Sequence, residues 1–117
     1  MAEDYPEIRE LVSDIFRNAG YRVESVSRGS DVGPAIRRFH PSVVLLDLAL
    51  PDVPGNDVLQ QLAMSPETNR VPVIIMSAYS ERLRQVPQVR AVVNKPFDIE
   101  LLLRAVEEAQ QPRAKAA

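Results

Sequence analysis

Two short runs without a polar residue constrain this chain most. They are Val43-Val44-Leu45-Leu46, which runs into Asp47, and Val73-Ile74-Ile75-Met76, held between Pro72 and Ser77. Each is too short for a buried helix and rich in branched side chains, so each reads as a strand. A strand that is apolar on both sides is covered on both faces, as in a parallel sheet flanked by helices. The segments around the runs supply those helices. From Pro6 to Asn18, Ile8, Leu11, Val12, Ile15 and Phe16 recur at helical spacing, with Pro6 at the first turn and Gly20 closing the end.

The alternation continues along the chain. Tyr21 to Val26 alternates like a half-buried strand. Ser30 opens a helix bearing Ile36 and Phe39, and Gly55-Asn56-Asp57 starts another with Val58, Leu59 and Leu62. Glu81 to Val86 holds a turn or two of helix before Pro87. Val89 to Val93 forms a last short strand, and Asp98 caps a final helix carrying Ile99, Leu102, Leu103 and Val106. Strand and helix in turn imply an α/β domain with a mostly parallel sheet over residues 1–110, followed by a frayed tail at 111–117.

Composition narrows the function. With 117 residues the chain suits one domain, and its formal charge of −2 lacks the basic excess of a nucleic-acid module. The absence of Cys removes disulfides, thiolate metal sites and a cysteine nucleophile, and one His cannot make a two-imidazole site. No apolar run nears the roughly 20 residues of a membrane span, and no signal peptide opens the chain. The expectation is a small cytoplasmic domain.

In such sheets, ligands sit beyond the carboxyl ends of the strands. There the sequence places Asp47, Ser77 and Lys95, with Glu3 and Asp4 just ahead of the first helix. Taken singly, these are a loop acid, a strand-ending serine, an exposed lysine and first-turn acids. Together they suit phosphoryl transfer to a carboxylate. Asp47 can attack phosphorus and hold an acyl phosphate, while Mg²⁺ takes hard oxygen ligands such as Glu3, Asp4 and Asp47. Lys95 meets a phosphoryl oxygen as a point charge, and Ser77 donates a hydrogen bond to another.

The ordered set resembles the receiver domain of bacterial two-component response regulators, and the resemblance covers nearly all of residues 3–110. It rests on Glu3-Asp4, on Asp47 with Pro51 and Gly55, on Ser77-Ala78 and on Lys95-Pro96-Phe97, at similar spacings between Asp4, Asp47 and Ser77. The resemblance implies a flavodoxin-like, doubly wound sheet in the order 2-1-3-4-5. It makes Asp47 the phosphoacceptor, Glu3, Asp4, Asp47 and the Ala49 carbonyl the Mg²⁺ ligands, Ser77 the switch hydroxyl and Lys95 the phosphate-binding lysine, with a cis bond to Pro96. The implied partner is a sensor histidine kinase or phosphotransfer protein.

Three departures stand out. Only Met1 and Ala2 precede Glu3, too few for the family's central first strand, so that strand is expected to be truncated or absent. Direct pairing of Tyr21–Val26 with Val43–Asp47, or a homodimer, would then complete the sheet. Val92 occupies the place of the switch aromatic, with Tyr79 a candidate substitute. Ser77 and Lys95 stand 18 residues apart, about one helical turn closer than usual in the family. Arg82, Arg84 and Arg90 read as solvated arginines near that face, and His40 as a loop residue on the opposite rim. Two other readings remain at this stage: a degenerate receiver serving only as an interaction module, and a flavodoxin-like enzyme or nucleotide binder. The second lacks a glycine-rich phosphate loop.

Overall fold

A computed structural model describes residues 1–2, 6–77, 88–94 and 99–110, with backbone only at Ser77 and Asn94. The order is α1 (Pro6–Asn18), a 3₁₀ turn (Gly29–Asp31), α2 (Val32–Phe39), β1 (Val44–Asp47), α3 (Gly55–Met64), β2 (Val73–Ser77), β3 (Val89–Asn94) and α4 (Ile99–Gln110). Both apolar runs are strands, and β1, β2 and β3 pair in that order, all parallel.

Each face of the sheet buries its own helices. Val44, Leu46, Val73 and Ile75 pack with Val32, Ile36, Val58, Leu59 and Leu62 of α2 and α3. The alternate residues Leu45, Ile74 and Met76 pack with Val12 and Phe16 of α1 and Leu102 and Val106 of α4. This two-sided burial is why the runs carry no polar residue. α1 runs from Pro6 to Asn18 as expected, and Gly20 follows it at φ 95°, a conformation that costs glycine least. Leu11, assigned to the apolar face from its spacing, is instead 58% exposed.

The amino end departs from expectation. Residues 21–25 form no strand. Ala2 stands between that segment and β1, bridging Val26 on one side and Leu46 on the other, both in parallel. The Ala2 N–H donates to the Leu45 carbonyl at 2.8 Å, the Asp47 N–H donates to the Ala2 carbonyl at 2.9 Å, and the Val26 N–H donates to the Met1 carbonyl at 2.8 Å. Met1-Ala2 thus occupies the central position, in place of direct pairing between residues 21–26 and β1. Alternating hydrophobicity alone does not make Tyr21–Val26 a strand: among the described residues only Val26 of that segment bridges a neighbour, Ala2.

Smaller differences follow from local geometry. α2 opens at Val32 behind the 3₁₀ turn rather than at Ser30, and His40 closes it in the left-handed conformation, at φ 53° and ψ 57°. β3 continues to Asn94, and a register shift opposite Val73/Ile74 falls at Arg90. Arg90 is half-buried rather than solvated, and its Nε lies out of contact with water and without a hydrogen-bond partner. Glu81–Val86, Asp98 as a cap and the 111–117 tail lie outside the described residues.

Candidate functional site

Strand register brings one end of every strand to a common rim. Ala2 is level with Leu46, Asp47 with Met76, and Ser77 with Asn94. Asp47 and Ser77 therefore end adjacent strands, which lie about 4.8 Å apart in a sheet. Glu3 follows Ala2 directly and Lys95 follows Asn94 directly in the sequence. Glu3, Asp4, Lys95 and Tyr79 themselves lie outside the described residues, as do Arg82 and Arg84.

Asp47 is the buried acid of the rim, only 3% exposed. Its Oδ1 accepts the Ala49 N–H at 2.9 Å, a turn that holds the carboxylate against its own strand end. The loop that follows is tightly built. The Leu48 N–H donates to the Met76 carbonyl at 3.3 Å, and the Gly55 N–H donates to the Leu48 carbonyl at 3.2 Å. A Cβ on Gly55 would lie 2.6 Å from the Leu48 Cα, so only glycine lets α3 start this close to β1. Leu48 and Leu50 are buried and anchor the loop, while Ala49 between them is exposed.

Asp52, in the same loop, was not singled out in the sequence. Its Oδ1 accepts the Gly29 N–H at 2.7 Å and its Oδ2 accepts the Ser30 N–H at 3.1 Å. Hydrogen bonds from Ser30 and Gly29 hold its pKa down at about 2, against an ordinary 3.8. Within Leu-Pro-Asp-Val-Pro-Gly it reads as one more turn residue, because its partners lie more than 20 residues away in the chain.

Among the described residues no three acidic or imidazole groups converge into a metal cluster. Asp47 is a hard-oxygen donor of the kind Mg²⁺ prefers, and the two other expected carboxylates directly follow Ala2 beside it in sequence. The donor chemistry fits that ion. Val92, at the position where the family carries an aromatic, is 47% exposed on β3. No helix among the described residues is long and apolar enough to cross a membrane.

A family model for the response regulator receiver domain matches residues 1–107. The chain belongs to that family. The receiver is 32% identical over 115 residues to protein Rrf1 of Nitratidesulfovibrio vulgaris, covering 98% of this chain and 83% of that one. It is 30% identical over 112 residues to sporulation initiation phosphotransferase F of Bacillus subtilis, covering 92% and 89%. It spans less than half of the longer transcriptional regulatory proteins that it also matches. Its fold superposes on the receiver domain of a sensor histidine kinase from Pseudomonas aeruginosa, solved with magnesium in its active-site cleft. That match has a TM-score of 0.84 at 24% identity and covers 93% of each chain. The chain thus has the flavodoxin-like fold, and its family is one of phosphoacceptors in two-component signalling.

Proposed function

We propose that the receiver accepts a phosphoryl group on Asp47 from a phosphohistidine of a sensor kinase or phosphotransfer protein in the cytoplasm, with Mg²⁺ bound beside it. The observation that supports this is the buried Asp47 carboxylate, fixed by Ala49 at the carboxyl end of β1. A carboxylate oxygen of Asp47 forms the new O–P bond as the donor's N–P bond breaks, and that electron pair stays on the imidazole nitrogen. Glu3, Asp4, Asp47 and the Ala49 carbonyl would hold the ion, which would neutralise charge on the transferring oxygens.

Lys95 meets one phosphoryl oxygen and the Ser77 hydroxyl donates to another. Water later attacks phosphorus, the Asp47 O–P bond breaks, and inorganic phosphate leaves. In this reading residues 1–110 are the domain and 111–117 a tail. Val92 has no ring to swing inward, so the switch works through Ser77 and the helix-bearing surface next to it.

Intact mass after incubation with Mg²⁺ and a small-molecule phosphodonor tests the assignment. One adduct of about 80 Da is expected, and none in Asp47→Ala. A folded protein that takes no adduct is instead an interaction module. An adduct that persists in Asp47→Ala moves the acceptor to another residue.

A further inference from the structure

The loop between Asp47 and α3 is held at three places. Leu48 is bonded to β2 and to Gly55, Leu50 is buried in the core, and Asp52 reaches across to the turn ahead of α2. The third tie differs from the others because it joins the loop to a distant part of the chain. Gly29 and Ser30 lead a short 3₁₀ turn, and the residue that should cap it, Arg28, contributes no side-chain hydrogen bond. Backbone N–H groups at such a start have no partner within the helix. Asp52 supplies one from outside, with one carboxylate oxygen for each N–H.

Contact at the backbone reinforces the tie. A Cβ on Gly29 would stand 2.9 Å from the Cβ of Val53 and 3.0 Å from Cγ2 of Val58. The 3₁₀ turn therefore lies against the loop at a distance that leaves no room for a side chain. An exposed carboxylate is ordinarily satisfied by water. Here both oxygens are committed to fixed N–H donors, and charge-assisted bonds of this kind are the stronger ones.

We infer that Asp52 is a positioning residue for the phosphoacceptor loop: by clamping the loop to Gly29 and Ser30, it helps hold Ala49 where its carbonyl can serve Mg²⁺. The inference rests on the proposed site. Ala49 lies between the Asp47 turn on one side and the Asp52 clamp on the other, so its carbonyl direction is set by both. Releasing the clamp leaves Asp47 in its strand and Leu50 in the core but removes the tie of the loop to Gly29 and Ser30. Partners that orient a metal ligand typically change metal affinity 10–100-fold when removed.

Calorimetric titration of Mg²⁺ into the unphosphorylated wild type, Asp52→Ala and Asp52→Asn tests this, with circular dichroism to follow the fold. Because Asp52 is exposed, neither substitution opens a cavity. Affinity is expected to fall about tenfold in Asp52→Ala and by less in Asp52→Asn, which keeps one acceptor oxygen. The same ranking is expected in the Mg²⁺ concentration that half-saturates phosphorylation of Asp47. Unchanged affinity in both variants, with the wild type binding Mg²⁺, overturns the role of Asp52 and leaves the site assignment standing. A wild type that binds no Mg²⁺ overturns both. Loss of helix content with no change in affinity makes Asp52 a cap and nothing more.

Discussion

The two flanks of β1 are held very differently. Toward β2, all four of its residues pair in register, Val44 with Val73 through Asp47 with Met76. On the other flank, among the described residues, Ala2 bridges Leu46. Beyond Ala2 lies a cavity of about 390 Å³, walled by Met1, Val23, Glu24, Val43 and Leu45. Both flanks belong to one strand whose residues are all buried, so burial and ladder are separable properties. Helices on both faces exclude water from β1 whether or not its edge is paired.

Hydrogen bonding along β1 makes the contrast residue by residue. Val44 and Leu48 donate toward β2, to the Pro72 and Met76 carbonyls, while Leu45 and Asp47 exchange bonds with Ala2. Because the two directions alternate, the Leu45 N–H faces the Ala2 side of the strand. From the far wall, the Glu24 carbonyl accepts from the Met1 amine at 2.6 Å.

The largest expected break is in the well-paired half. Ile75→Ala, at a site with no exposure, should cost about 2–5 kcal/mol in chemical denaturation. Val26→Ala, half-buried on the weak flank, should cost about 1 kcal/mol. Equal losses would mean that the two flanks contribute alike. Amide exchange sharpens the contrast: Val44, Leu46 and Leu48 should be protected at least about tenfold more than Leu45, a difference of about 1.4 kcal/mol in opening free energy. Uniform protection along β1 would show the cavity side to be as closed as the paired side.

The smallest effect concerns Asp52 and acid. Its folded pKa lies below the ordinary value, so its contribution is full above about 3.8 and is lost as pH falls through about 2. The difference in melting temperature between wild type and Asp52→Asn should therefore narrow between pH 4 and pH 2. A difference that stays constant over that range would show that the clamp does not depend on charge.

What was legible in the sequence divides along similar lines. Pro6 and Gly20 bounded α1 because helix ends have local signals, and the apolar runs gave β1 and β2 because two-sided burial leaves no polar residue. Asp47 and Ser77 fell on one rim because parallel strands put their carboxyl ends together. Tyr21–Val26 misled because alternation records burial rather than pairing, and among the described residues only Val26 of that segment bridges a neighbour. Asp52 was invisible because its meaning comes from Gly29 and Ser30, which no local pattern connects to it. The outward turn of Leu11 was equally hidden, since five apolar residues on α1 exceed what its buried face takes.

The loop after Asp47 opens and closes on the same residue. Leu48 ties to Met76 through its N–H and to Gly55 through its carbonyl, which makes residues 48–55 a ring closed by a hydrogen bond. Side chains around a ring can change while its circumference cannot. Sequence drift is then free to rewrite exposed members such as Ala49 or Pro51, whereas one inserted or deleted residue would rotate Gly55 off Leu48 and move the start of α3. Among descendants of this chain, that loop should vary in composition and stay constant in length.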